Sequence, residues 1–282
     1  MTKKTKKLKL HRLPVYLILI VLACIWIFPI LVAFINVFKS PEDFLNSKFY
    51  QMPEKFGLFA NLNYIMNHFK IFNYFSNSLI YAVFGTVLCI MVSSLAAYGM
   101  VKLKPKFHFF LFIIIYSGTI FPFQMYLLPL YKLYIATNLY DTKIGMILFY
   151  ATICTPFAVF VYRGYYMTIT EAIHEAAKID GCGPISAFFQ IYIPLLKIPT
   201  AVVIVFQAMW IWNDMLFGLV LAQSDAVRPI MVSIAQIAGE GGGNVPRLML
   251  AVILTSIPTM ALFICLRRYF IQGAAFNVTA AE

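Results

Sequence analysis

Residues 13–38 contain no charged side chain, and neither do residues 71–101. Runs of that length exceed what a soluble core can hide, because about 20 apolar residues in a helix already match the hydrocarbon thickness of a bilayer. Charge-free runs recur at residues 107–131, 144–162 and 248–266. A further run, residues 198–221, is irregular because Asp214 lies inside it. Ordered along the chain, these give an all-α, polytopic membrane protein with six transmembrane helices. The second run is long enough to hold an approach segment before a helix that starts near Ser76. Pro29, Pro122, Pro129, Pro156 and Pro258 fall within the spans, where neighbouring helices re-satisfy the backbone groups that proline frees.

Composition agrees with the spans: of 282 residues, 62% are hydrophobic and 12% charged. The first run lacks a small-residue cleavage pattern and is expected to remain as a helix. The domain plan is then a basic tail over residues 1–12, a six-helix region over 13–270 with a polar loop at 168–197, and a closing tail over 271–282. Lys and Arg divide unevenly between alternate segments, with 14 on the side of both termini and 8 on the other. The positive-inside rule puts both termini in the cytoplasm, with the tail from Lys3 to Lys9 facing anionic membrane lipid.

Several function classes drop out. A net charge of +11 spread between apolar spans offers no docking face for nucleic acid. The cysteines are Cys24, Cys89, Cys154, Cys182 and Cys265; they form no C-x-x-C pair, and the four histidines stand apart, so neither a disulfide framework nor a metal site is expected. There is no Gly-Lys dipeptide, so no phosphate-cradling loop. No paired intramembrane charges suit a proton relay, which argues against a secondary transporter, and no Ser, His and Asp arrangement marks a catalytic site.

The least membrane-like stretch is the loop at 168–197. Thr168 and Glu171 match a capping box, Ala172, Ala176 and Ala177 favour helix, and Gly181 stands where a left-handed stop belongs. Pro184 suits a new first turn, and apolar residues follow to Pro194. Glu171 and Glu175 share a helical face and repel. Apart from Lys178 the neighbouring sequence offers little to answer them, so the expectation is a basic partner surface or else two solvated carboxylates.

Glu175-Ala176-Ala177, three residues, Gly181, nine residues and Ile191-Tyr192-Ile193-Pro194 resemble the E-A-A-x3-G-x9-I-x-L-P loop of binding-protein-dependent ABC importer permeases, with Ile193 in place of the usual leucine. SSLAAYGMVKLKPKF, FPFQMYLLPLYKLY, WIWNDMLF and RRYFIQG extend the resemblance to the maltose-type, carbohydrate-uptake branch. It implies a homologous permease as partner, two cytoplasmic ATPase subunits that bind ATP and Mg, an extracytoplasmic solute-binding protein, and a sugar as cargo. This chain would hold no cofactor and be non-catalytic. The resemblance further implies that Glu171, Glu175, Ala176, Ala177, Asp180 and Gly181 meet the ATPase, while Ile191 and Pro194 join the loop to the fifth span. The loop reports the engine rather than the cargo, so a polyamine or phosphate ester is the rival solute.

Two further candidates follow. Asp214, with Trp212 and Asn213, is expected to line the pathway or an outer gate, or else to accept hydrogen bonds at a helix end. Glu240, Gly241, Gly242, Gly243 and Asn244 are expected to meet the solute-binding protein, or else to form a flexible turn.

Overall fold

The computed structural model describes residues 13–103 and 106–279, the last ten of these as helix backbone alone. The expected basic tail over 1–12 lies outside the described residues. Among those described there is no strand, only an isolated bridge between Lys39 and Phe56. The all-α fold class therefore holds. The chain divides into two compact units, one formed by residues up to Phe69 with Gln236–Leu254, the other by Lys70–Ala235 with the residues from Thr255 onward.

The first unit begins with α1, Leu13–Val37, whose side chains are almost all exposed and apolar, as suits a helix that faces lipid. The Asn36 amide marks its end by donating to the Val32 and Phe49 carbonyls at 2.7 and 2.8 Å. Lys39 then turns inward, and its fully buried ammonium donates to Ser47 Oγ at 3.0 Å and to the Lys48 carbonyl at 2.8 Å. The short helix α2, Pro41–Asn46, starts on the Ser40 hydroxyl, which accepts from Asp43 N at 3.1 Å. The hook closes at Gly57, where a Cβ would stand 2.6 Å from Ser40 N and 2.7 Å from the Lys39 carbonyl. Only glycine allows that approach. Helix α3, Leu58–His68, is fastened to the hook by Asn61, whose amide donates to the Lys39 carbonyl at 2.8 Å.

In the second unit the helices are α4 (Ile71–Lys102), α5 (His108–Ser117), α6 (Gln124–Ala136), α7 (Lys143–Thr168), α8 (Glu171–Ile179), α9 (Pro184–Leu195), α10 (Lys197–Trp212) and α11 (Leu216–Leu221). After them come α12, Ile230–Gly239, and α13, Val245–Thr279, each of which runs from one unit into the other. Small residues let α4 and α7 approach closely: Ser93 and Ala97 on one, Ala151 and Ala158 on the other, all buried. Ser93 Oγ donates to the Thr155 carbonyl at 3.4 Å. At Gly85 a Cβ would lie 3.1 Å from Tyr150 Cβ and 3.2 Å from Ile211 Cδ1, so α10 joins the same packing. Gly85 ends a π-helical turn, Tyr81–Gly85, that interrupts α4.

Among the described residues four helices are long and apolar enough to cross a bilayer, or five if the pair Pro184–Leu195 and Lys197–Trp212, bent by 76°, is one broken span. Several boundaries differ from the sequence expectation. Helix α4 starts at Ile71, so no approach segment precedes it. The apolar run at 107–131 is two helices, α5 and α6, separated at 118–123. The run at 198–221 breaks at 213–215, which takes Asp214 out of any helix. Helix α13 continues to Thr279, through most of the stretch expected to be a tail.

Candidate functional site

The loop between α7 and α10 has the predicted order of helix, glycine stop and second helix. Helix α8 closes on Gly181 at φ +76°, with Cys182 N donating to the Ala177 carbonyl at 2.9 Å and Gly181 N to the Lys178 carbonyl at 3.1 Å. That reciprocal pair is a Schellman stop, which needs a left-handed residue at the position Gly181 fills. Its start departs from expectation. Thr168 ends α7, with its hydroxyl bonded to the Tyr165 carbonyl, and the residue preceding α8 is Thr170, with no side-chain cap bond. The capping box of Thr168 and Glu171 does not form, because the α7 ladder carries on through Thr168.

Helix α8 has two faces. His174 and Ala177 are buried against the rest of the unit, whereas Ala172, Glu175, Ala176 and Ile179 point outward. Ile179 is 85% exposed and Ile185, beyond the glycine, 74%. Two bare isoleucines beside a carboxylate and two alanines make an apolar, closely approachable surface. Asp180 and Gly181 are exposed as well, Pro194 is exposed and Ile191 half-buried.

The inward face is clasped by aromatic rings. Tyr98 of α4 stacks its ring within 5.0 Å of Tyr192 and 5.3 Å of Phe188, and its hydroxyl donates to the Pro184 carbonyl at 3.0 Å. The Tyr192 hydroxyl meets His174 Nδ1 at 3.1 Å, and Tyr166 of α7 packs 5.7 Å from the Tyr192 ring. Lys102, the last residue of α4, completes the clasp. Its buried ammonium donates to the Ile169 carbonyl at 2.9 Å and lies 3.7 Å from the Glu171 carboxylate. Glu171 is thus answered within the chain, contrary to the sequence reading, whereas Glu175 presents its charge outward.

Lys102→Ala is expected to loosen this loop by about 1–3 kcal/mol, since the Ile169 carbonyl loses a charged donor and Glu171 its counter-ion. Hydrogen exchange across 169–180 should rise while the apolar helices stay protected. Unaltered exchange there would dissociate Lys102 from the loop's position.

The W-I-W-N-D segment splits its side chains between two jobs. Trp212 is buried, edge-on to Phe75 at 5.2 Å, and its indole N–H donates to the Thr255 carbonyl at 3.0 Å. Asp214 is also buried. It accepts from the Tyr150 hydroxyl at 2.9 Å, from Gly218 N at 3.2 Å and from Phe217 N at 3.4 Å. Two of these donors are the otherwise orphaned amides at the start of α11, so Asp214 restarts the chain's helical path after the break. Asn213 is exposed, with Nδ2 bonded back to the Met209 carbonyl at 2.7 Å. It opens into a cleft of about 580 Å³ together with Phe123, Trp210 and the backbone turn at 213–215.

The glycine loop is pinned rather than loose. Gly241 holds φ +97° and ψ 179°, a conformation reserved for glycine, and Gly242–Asn244 forms one tight turn. Asn244 Nδ2 donates to Glu240 Oε2 at 2.8 Å, Arg247 donates to Asn244 Oδ1, and the Arg247 guanidinium lies 3.4 Å over the Tyr64 ring. Tyr64 in turn stacks on His68 and donates to Glu240.

Residues 56–275 match the family described as binding-protein-dependent transport system inner membrane component. The chain belongs to that family. This permease is 26% identical over 275 residues to the arabinooligosaccharides transport system permease protein AraQ of Bacillus subtilis, covering 97% of each chain. To the melibiose/raffinose/stachyose import permease protein MelC of the same organism it is 29% identical, over 96% of each. It also shares the fold of a chain in a bacterial ABC transporter involved in the import of the acidic polysaccharide alginate. There the TM-score is 0.81 at 18% identity, covering 96% of this permease and 99% of that chain.

Sequence reasoning missed the residues that hold these elements in place. Lys102 and Tyr98 lie about 70 to 90 residues from their partners Ile169 and Pro184, and Tyr150 is 64 from Asp214. A lysine and tyrosines at helix ends carry no local signal of such pairings. For Trp210 a signal existed: it lies three residues before Asn213, on the same helical face.

Proposed function

We propose that this permease is the membrane-spanning subunit of an ATP-driven bacterial importer for a sugar or oligosaccharide. It pairs with a homologous permease to form the pathway, and two cytoplasmic ATPase subunits, which bind ATP and Mg, drive it by alternating access between inward-open and outward-open forms. An extracytoplasmic solute-binding protein delivers the cargo. The observation that carries this reading is helix α8: a short element closed by Gly181, whose outer face of Ala172, Glu175, Ala176 and Ile179 is exposed among the described residues. The alanines permit close approach, the isoleucines bury apolar area, and Glu175 selects a basic cleft. The sugar follows from the similarity to AraQ and MelC along nearly the full chain.

In this reading both termini and α8 are cytoplasmic, while the Lys39–Gly57 hook and the loop Glu240–Asn244 face the binding protein. Because Gly241 and the Arg247 stack fix that loop's shape, it is presented as a formed surface.

The test is uptake of labelled raffinose or arabinotriose by vesicles holding the complete complex. Uptake should require both the ATPase subunits and the binding protein. In the same vesicles an impermeant thiol reagent applied outside should modify Glu54→Cys and spare Lys178→Cys. Uptake without ATP, or the reverse labelling, would defeat the proposal.

A further inference from the structure

We propose that the cleft enclosed by the end of α4, the start of α5, the end of α7 and the start of α8 holds the phosphate of an anionic phospholipid, with Arg163 as its principal ligand. The site lies within one compact unit of the fold, and its assignment is independent of the cargo.

The cleft encloses about 550 Å³, and its polar lining is Lys102, His108, Arg163, Thr168, Thr170 and Glu171. Its charges do not cancel. Lys102 forms an ion pair with Glu171 at 3.7 Å, which leaves Arg163 over. The Arg163 guanidinium rests 4.3 Å from the centre of the Phe112 ring, and among the described residues no carboxylate or carbonyl accepts from it. A stacked guanidinium engages the ring through its face and keeps its in-plane N–H groups for other acceptors. Arg163 is half-buried, so water reaches those donors poorly, and two oxygens of one phosphate match the guanidinium fork. Thr170 adds a hydroxyl that makes no cap bond with α8.

The position selects a lipid over a soluble anion. Helices α4 and α7 are both long and apolar enough to span a bilayer, and they end at Lys102 and Thr168, so the cleft opens at the depth of the headgroups. Beside it α5 exposes Phe109, Phe110, Ile113 and Ile114. That apolar wall takes the acyl chains while the phosphate sits in the cleft. A surplus cation repels the ammonium of a zwitterionic headgroup and favours one that is negative overall, as basic pockets between membrane helices do. Bound there, the phosphate links Arg163 on α7 to Thr170, the residue that precedes α8. The membrane itself then braces the docking loop.

The experiment titrates the complete complex in detergent with dioleoyl phosphatidylglycerol or dioleoyl phosphatidylcholine and counts bound lipids by native mass spectrometry. Phosphatidylglycerol should occupy a site on this permease about tenfold more tightly than phosphatidylcholine. Arg163→Gln should weaken phosphatidylglycerol there about tenfold and leave phosphatidylcholine unmoved, while Arg163→Lys, which keeps the charge without the fork, should lose about threefold. Met167 is exposed and also lines the cleft. Met167→Glu adds a carboxylate there while keeping Arg163, so it should likewise weaken phosphatidylglycerol about tenfold, and it serves as the test if Arg163→Gln does not assemble. Phosphatidylglycerol binding equal to the unmodified complex in either variant would overturn the site. An equal loss of both lipids would assign the effect to the fold and overturn it too. Displacement of the lipid by glycerol phosphate at comparable concentration would give the cleft to a soluble anion and overturn the lipid assignment.

Discussion

Asp214→Ala should reduce the amount of folded permease, not simply its transport rate. The carboxylate holds the Tyr150 hydroxyl of α7 and two amides of α11 at once, in a site where water cannot replace it. Hydrogen bonds to a charged group contribute about 1.5–3 kcal/mol, and each buried donor left bare costs about 1–3 kcal/mol. Alanine forfeits the first and incurs the second, for a total of about 3–5 kcal/mol, a large share of the stability a domain has. Asp214→Asn keeps the shape and one carbonyl acceptor, and the Tyr150 hydroxyl can rotate to accept from the new amide, so about 1–2 kcal/mol is expected. Thermal unfolding of the purified complex and the quantity of permease extracted from membranes both report this. A normal melting temperature and yield for Asp214→Ala would show that Asp214 organises nothing.

Glu175→Lys should sever the permease from its ATPase while leaving the permease folded. The side chain is exposed on the outer face of α8, unlike that of Glu171, which pairs with Lys102. Reversing its charge against a basic cleft trades attraction for repulsion at close range, a penalty of several kcal/mol, whereas Glu175→Ala loses one contact, about 1–3 kcal/mol. A tag on the permease allows the ATPase retained in the purified complex to be quantified alongside sugar uptake. Full retention with normal uptake in Glu175→Lys would remove α8 as the docking element.

How far the sequence foretold all this depends on whether the information was local. The charge-free runs reveal α1, α4, α7 and α13 because burial in lipid is demanded residue by residue. The Glu-Ala-Ala loop is equally readable, since propensity, a glycine stop and a proline start act within a few positions. Breaks inside apolar stretches are not readable in this way. Hydropathy averages over a window: Gly118–Pro122 leaves that average almost unmoved, and Asn213–Met215 lowers it without marking where the helix ends. The sequence places Asp214 either at the pathway or as a hydrogen-bond acceptor at a helix end. Its role emerges when Tyr150 arrives from 64 residues away. Likewise the local match of Thr168 to a capping box was outweighed by continuation of α7, which a short motif does not register.

The aromatic clasp bears on how motion passes through the molecule. Tyr98, Phe188, Tyr192, Tyr166 and His174 form a joint without a flexible linker, and Lys102 bolts the far end of α4 to the chain just before α8. A joint that does not bend transmits displacement instead of absorbing it. A push applied to the outer face of α8 would therefore pass into α4, whose regular ladder is interrupted by the π-helical turn at Tyr81–Gly85.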